Sequence, residues 1–189
     1  MRKILLIFAF ILCNSLLYSQ YISEDVDGKV NIINSYDEFT QITWYKPKCI
    51  PDNKEKRIYY TPDLYCYIGV KKSSEIDVNI KWLRLKTIYA AKNWLFIDTL
   101  YLLCDGTVKE ITLNREDTET DVGDYGYIYE TIDILVDDNL MYFLEQVSQG
   151  KDVKMRYSGS KGSRDYIINT IDKKAIKIII DKYKELDGI

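Results

Sequence analysis

The side chains that could do chemistry in this chain are carboxylates, tyrosines and cysteines, because the sequence contains no histidine. This composition excludes Ser-His-Asp and Cys-His catalytic triads, histidine-ligated zinc and imidazole general bases. Catalysis without histidine is open to a pair of carboxylates, as in glycosidases. Glu130 and Asp98 lie within apolar runs and are the acids that we expect to be partly buried. One hypothesis is therefore a small carboxylate-dependent hydrolase.

An acidic segment, residues 114–124, could bind calcium. It places Glu119, Asp121 and Asp124 close together in the chain, and calcium prefers hard oxygen ligands of this kind. The spacing does not match an EF-hand loop, because no ligand glutamate follows Gly123 at the closing position. The pattern favours a solvated acidic loop. A weak calcium site, in a calcium-stabilised structural protein, is the alternative.

Tyr125, Tyr127 and Tyr129 alternate along a predicted strand. In a strand their rings would lie on one face, about 6.8 Å apart. Such a row could stack on sugars or contact a protein, because tyrosine combines an apolar ring with a polar hydroxyl. The same spacing also suits a half-buried sheet face under a helix. These three tyrosines are the predicted ligand-binding residues, and a protein or glycan at the cell envelope is the predicted partner.

The first 19 residues have the pattern of a secretory signal peptide. Arg2 and Lys3 precede an apolar run at residues 4–12, which is shorter than the roughly 20 residues of a membrane span. Ser19 suits cleavage directly after it. We expect export to the periplasm or the extracellular space, with no transmembrane span in the mature chain. Attachment of a lipid at Cys13 is the alternative.

Three cysteines follow this leader, in a compartment that permits disulfides. Cys49 and Cys66 flank a polar stretch, and a disulfide closing a loop of this length would stabilise the fold by about 3 kcal/mol. We predict that these two residues pair. Cys104 ends an apolar run, where a free thiol behaves as a small core side chain.

The charge balance bears on the partner. The chain holds 26 Lys and Arg against 29 Asp and Glu, and removal of residues 1–19 takes away two cations and no anions. Phosphate neutralisation needs a concentrated basic surface. We therefore expect no nucleic-acid partner.

Residues 20–189 are predicted to form one α+β domain whose first part is rich in strands. Runs at 39–45, 64–70 and 125–136 are rich in aromatic and β-branched residues. Asp105-Gly106 lies between two further runs of this kind. That dipeptide predicts a two-residue hairpin turn.

One run contains a change of face. Apolar residues alternate from Ile76 to Trp82, and the apolar positions then move by one residue to Leu83 and Leu85. The shift predicts a bulge or a twist between two packed faces.

Helical spacing begins after these strands. Asp137 is a predicted N-cap, Gly150 follows the predicted helix, and apolar residues recur between them every three to four positions. A closing helix is predicted from about Ile171 to Leu186, with Thr170 as its cap. The fold class is therefore α+β, mostly antiparallel sheet, with a sandwich as one form of it. Two amphipathic helices near the C-terminus pack on the sheet.

The order of elements from about Ile76 to Tyr183 resembles an uncharacterised group of exported bacterial proteins. The resemblance rests on the segments WLFIDTLYLLCDG, YIYETIDI, LMYFLEQVSQGKDVKMRYSG and DYIINTIDKKAIKIIIDKY. The chain departs from this group in the loop 158–164, which is longer and richer in Gly and Ser. The resemblance contains no catalytic motif and implies only an exported or envelope-attached domain. We therefore expect a non-catalytic binding or interaction module, with the hydrolase and the calcium-stabilised protein as alternatives.

Overall fold

A computed structural model describes residues 28–51, 64–72 and 79–187. The predicted signal peptide, residues 1–19, and the lipidation site at Cys13 lie outside these ranges. Within them the chain forms ten strands and two α-helices. The strands are β1 (Gly28–Asp37), β2 (Ile42–Pro51), β3 (Leu64–Lys72), β4 (Asn79–Ala91), β5 (Ile97–Cys104), β6 (Thr107–Thr112), β7 (Thr118–Val122), β8 (Ile128–Leu135), β9 (Val153–Gly159) and β10 (Gly162–Ile167), and the helices are α1 (Asp138–Gln149) and α2 (Thr170–Asp187).

The strands form two antiparallel sheets. The six-stranded sheet has the order β1-β2-β3-β4-β8-β7, and the four-stranded sheet has the order β10-β9-β5-β6. Neighbouring strands pair in antiparallel register throughout both sheets. The predicted α+β class, with mostly antiparallel sheet and two helices toward the C-terminus, is confirmed.

The two sheets meet through β4 and β9. The hydroxyl groups of Thr87 and Tyr157 form a hydrogen bond across the interface. The ring of Tyr89 meets that of Tyr157 edge to face, with centroids 5.7 Å apart. Buried apolar side chains from both sheets and both helices join in one cluster. The inner faces of the two sheets therefore share a core, as in a sandwich.

The last helix covers the first three strands. α2 contacts the inner face of β1, β2 and β3, and it packs beside α1. Its apolar stripe is buried, with Ile176 and Ile179 fully inaccessible. The Lys81 ammonium donates to the carbonyl of Leu186 at 2.7 Å, which places a cation at the negative end of the helix.

The two helices begin at polar caps. Asp137 accepts a hydrogen bond from the Leu140 N–H at 2.7 Å, as predicted. α2 is capped by Asn169 and not by Thr170. The Asn169 side chain accepts from the Asp172 N–H at 2.9 Å, and the Asp172 carboxylate accepts from the Asn169 N–H at 3.2 Å. The predicted cap was therefore wrong by one residue, because this reciprocal pair satisfies two backbone groups at once.

The predicted turn at Asp105-Gly106 and the predicted strand at 39–45 have different outcomes. Asp105 and Gly106 form the predicted two-residue turn between β5 and β6, with φ of 46° and 89°. The run at 39–45 is only partly a strand, since β2 begins at Ile42. Phe39 is fully exposed in the preceding turn, where the Asp37 carboxylate accepts from its N–H at 2.9 Å.

The change of face in β4 is not a bulge. From Asn79 to Thr87 this strand pairs with β3 without a shift in register. Trp82 lies on the outer side of the sheet, whereas Leu83 and Leu85 lie in the core. The predicted bulge was wrong because both sides of this strand carry apolar side chains.

Candidate functional site

The candidate site is the outer face of the six-stranded sheet, which is the side turned away from the four-stranded sheet and the helices. Side chains reach this face from every second position of each strand. Its centre combines aromatic and charged residues from β2, β3, β4 and β8. They are Trp44, Lys46, Tyr65, Tyr67, Trp82, Arg84, Lys86 and Asp133.

Four of these residues form an aromatic cluster, defined as Trp44, Tyr65, Tyr67 and Trp82. The Trp44 centroid lies 5.7 Å from that of Trp82, at 84°, and 5.7 Å from that of Tyr67. Tyr65 and Tyr67 are 6.5 Å apart. Pairs at these distances and tilts are favourable beyond the area that they bury. The rings therefore support one another on the sheet surface.

Gly69 makes room for this cluster. It lies directly opposite both Trp44 and Trp82 in the strand registers. A Cβ atom at Gly69 would stand 2.3 Å from the Trp82 ring, so the indole lies over bare backbone. A side chain here would displace the indole.

Asp133 connects the cluster to two cations. Its carboxylate accepts hydrogen bonds from the Tyr67 hydroxyl at 2.7 and 2.9 Å and from the Arg84 Nε at 2.7 Å. Arg84 Nη2 also donates to the Asp133 carbonyl at 2.6 Å, and the Lys86 ammonium lies 3.6 Å from the carboxylate. The Asp133 carboxylate on β8 thereby links side chains of β3 and β4.

The pKa values of three groups at this site are shifted further from neutral pH. Burial, followed by the hydrogen bond to Asp133, raises the pKa of Tyr67 above its usual range. Burial, with the negative charge of Asp133, also raises the pKa of Tyr65. For Arg84, burial alone would lower the pKa, but the hydrogen bond and charge of Asp133 outweigh it and the pKa is raised. At neutral pH both phenols stay protonated and the guanidinium stays charged. None of these three groups is tuned to exchange a proton.

Exposed apolar side chains surround the cluster on the same face. The exposed fractions are 47% for Ile33, 54% for Ile80, 38% for Ile88 and 61% for Leu135. Exposed aliphatic residues around a half-buried aromatic centre are unusual for a surface that faces water alone, and they mark interaction sites.

The predicted tyrosine row does not form. β8 begins at Ile128, so of the three tyrosines Tyr129 alone lies on the strand, where it joins the outer face. Tyr125 is 94% exposed in a short 3₁₀ turn with φ of 57°, and Gly126 has φ of 71°. Tyr127 precedes the strand, with the Lys92 ammonium 3.9 Å from its ring centroid. The single-faced row was wrong because two residues of positive φ turn the chain before the strand starts.

The predicted calcium ligands do not come together either. Glu119 and Asp121 are exposed on β7, and Asp124 lies in the turn that follows. The Asp121 carboxylate accepts from the N–H of Val122 at 2.7 Å. In the part of the chain that the structure describes, no three acidic or cysteine side chains stand close enough to hold a metal ion.

The two acids of the hydrolase hypothesis differ in environment. Glu130 is buried, as predicted, and its carboxylate accepts from the N–H groups of Leu95 at 2.6 Å, Phe96 at 3.1 Å and Ile97 at 2.8 Å. Asp98 is exposed, so its predicted burial was wrong. Glu130 thus holds the backbone at the start of β5, where Phe96 has φ of 52°.

Cys66 and Cys104 are both buried free thiols. Burial raises the pKa of each, and the charge of Asp105 adds to the effect at Cys104. The core position of Cys104 is confirmed. Because Cys66 is a free thiol, the predicted Cys49–Cys66 disulfide is not formed in this structure, and the side chain of Cys49 lies outside the described residues.

The sequence reasoning did not find the aromatic cluster or Asp133. A signal was available, because apolar residues at consecutive positions in β4 exclude a strand with one wet face. What periodicity does not provide is the register that brings Trp44, Tyr67 and Trp82 together from three strands.

No family model, curated protein or solved structure matches this chain. The resemblance to exported bacterial proteins therefore stays a prediction. Neither helix in the described ranges combines the length and the apolar character that a bilayer crossing needs.

Proposed function

We propose that this chain is an exported, non-catalytic interaction module whose outer face binds a macromolecular partner at the cell envelope. The observation that carries the proposal is the ring of exposed aliphatic side chains around the aromatic cluster. Tryptophan, tyrosine and arginine are the residue types that dominate binding energy in protein interfaces. This face has all three at its centre.

The centre of the face is fixed before any partner arrives. Tyr67 and Arg84 are both held by Asp133, and the Trp82 indole rests on the backbone at Gly69. Side chains that are already ordered lose little conformational entropy on binding. The arrangement therefore suits contact residues better than a loose surface would.

A protein partner fits this face better than a glycan. Sugar recognition relies on hydrogen-bonding groups that are free to meet hydroxyls, and here the Tyr67 hydroxyl and the Asp133 carboxylate already bond to each other. Exposed aliphatic groups such as Ile80 and Leu135 gain most from contact with another apolar surface.

The non-catalytic part of the proposal is supported by the environments of Glu130 and Asp98, the two acids of the hydrolase hypothesis. Glu130 uses both of its oxygens to accept backbone N–H groups. Asp98 is exposed on the other sheet, where its carboxylate accepts from the Thr99 hydroxyl at 2.8 Å. One acid is thus buried and occupied by backbone N–H groups and the other lies in solvent on a different sheet, which favours binding over carboxylate catalysis.

The test is site-specific photo-cross-linking in cells that produce the protein. A benzophenone amino acid replaces Ile80 or Leu135 on the outer face, and the matched control replaces Val108, which is 59% exposed on β6 of the other sheet. We expect a discrete heavier product, found in the envelope or secreted fraction, from the two outer-face positions and not from the control. Equal products from all three positions, or no product from any, would contradict the proposal.

A further inference from the structure

We infer that the partner of the outer face is a second copy of this chain, packed face to face. This inference rests on the proposed function and adds the identity of the partner. The observation behind it is the distribution of charge across the outer face, which has opposite signs at its two ends.

The basic end lies on β2 and β3. Lys46, Lys48 and Lys71 are exposed there, and alternation along the paired strands places them on the outer face. The Lys46 ammonium lies 5.9 Å from the ring centroids of both Trp44 and Tyr67. The positive charge therefore continues to the edge of the aromatic cluster.

The acidic end lies on β7, which is the border strand farthest from β1 and β2. Glu119 and Asp121 are exposed and stand opposite Thr131 and Tyr129 of β8, which share the outer face. Three strands, β3, β4 and β8, separate this end from β2. At about 4.8 Å per strand, β2 and β7 are roughly 20 Å apart across the sheet.

A two-fold axis in the plane of the interface fits this distribution. Such an axis turns one copy over and places its basic end against the acidic end of its partner, and the same contact occurs a second time by symmetry. Between these ends the aromatic clusters and their aliphatic surroundings meet each other. A purely acidic partner would be repelled at β7, and a purely basic one at β2 and β3. The face is thus complementary to itself.

The area agrees with a stable dimer. Five of the six strands span about 19 Å over about eight residues, or about 27 Å, and the five-residue β7 adds a shorter strip, which gives roughly 600 Å² from each copy. The total of about 1,200 Å² reaches the lower limit of about 1,200 Å² for standard protein interfaces. The complementary charges would also offset the repulsion between two chains that each carry a net charge of −3.

Charge reversal in matched pairs tests the inference, with the mass in solution as the measurement. One variant carries Lys46→Glu and Lys71→Glu, and the other carries Glu119→Lys and Asp121→Lys. The unchanged protein is purified in the form in which the producing cells accumulate it. At a concentration of tens of micromolar it should sediment with twice the mass of one chain. The dimer of each variant alone should have a dissociation constant at least about tenfold higher, because like charges then meet across the axis. An equimolar mixture of the two variants should form a dimer again.

The control variant carries Lys151→Glu and Lys161→Glu, two exposed positions away from the outer face. It should dimerise like the unchanged protein. The inference is overturned if the unchanged protein stays monomeric at all concentrations, if the control dissociates equally, or if the mixture stays monomeric. If the unchanged protein is monomeric and Ile80 still gives a discrete cross-linked product of another mass, the proposed function stands with a different partner. If both experiments fail, the proposed function fails too.

Discussion

The two faces of β8 each carry a carboxylate, and the two are used differently. Glu130 points into the core, is 2% exposed and accepts three backbone N–H groups from the segment that starts β5. Asp133 points outward, has a side chain that is 26% exposed and binds side chains from β3 and β4. The inner acid fixes the path of the backbone, whereas the outer acid fixes contact residues. Changes on the inner face should therefore affect stability, and changes on the outer face should affect association more than stability.

The largest effect is expected for Glu130→Ala. Three N–H groups in a buried segment lose their acceptor, and each unsatisfied donor costs about 1–3 kcal/mol. The free energy of unfolding should fall by about 3 kcal/mol or more in a urea titration. Glu110→Ala, at an exposed position on β6 of the other sheet, is the matched control and should stay within about 0.5 kcal/mol. A loss below about 1 kcal/mol at Glu130 would show that water replaces the carboxylate, and the contrast between the two faces would then disappear.

Asp133→Ala should have an intermediate effect on stability and a clear effect on association. The carboxylate is partly exposed, so Tyr67 and Arg84 can turn to water, and the expected loss is about 1–2 kcal/mol. The dissociation constant of the dimer, measured by sedimentation, should rise at least about tenfold because the contact residues lose their fixed positions. A stability loss as large as that of Glu130→Ala, with association unchanged, would reverse the assignment of roles.

Gly69→Ala should have a smaller effect. The new methyl group would collide with the Trp82 indole, which has to swing away from the sheet, at a cost of about 1 kcal/mol. Tryptophan fluorescence should shift to longer wavelength as the ring becomes wetter. In a background of Trp82→Phe the same glycine change should leave the emission unshifted. A shift that persists in that background would mean that another tryptophan reports the change.

The smallest effect is expected outside both faces of β8, at the exposed ion pair of Arg156 and Asp165 on the four-stranded sheet. The hydrogen bond from Arg156, at 2.5 Å, lowers the pKa of Asp165. Because the folded-state pKa lies below the unfolded one, the stabilisation is present above the unfolded pKa and is lost as the pH falls through the folded one. Asp165→Asn should thus differ from the unchanged protein at pH 7 less than either carboxylate change above. The difference in urea midpoints should vanish near pH 2, and a constant difference across this range would contradict the assignment.

Local features of this fold could be predicted from the sequence. The cap at Asp137 and the turn at Asp105-Gly106 depend on residues within four positions of each other, so side-chain chemistry alone determines them. The helical stripes and most strands follow from periodicity in the same way. The turn at Tyr125 was missed because a tyrosine rarely adopts positive φ, and a sequence pattern gives no sign of it.

The candidate site could not be predicted in the same way. Glu130 bonds to residues 33–35 positions away, and Asp133 bonds to Tyr67 across 66 positions. Such contacts depend on the order and register of strands, which alternation leaves open. Trp82 did carry a signal, since it follows an apolar alternation that Leu83 breaks. That signal predicted a bulge or a twist, because alternation alone does not tell a break in the strand from a regular strand with apolar side chains on both sides.

The placement of α2 has a consequence for the time at which the protein can fold. The first three strands described are covered by α2, so their apolar inner side finds its cover only after this helix has been synthesised. A nascent chain that still lacks α2 leaves this side uncovered and the core open. Translocation through a narrow secretory channel requires such an open chain. The order of the elements along the sequence thus delays completion of the core until α2 has been synthesised, which suits the proposed export.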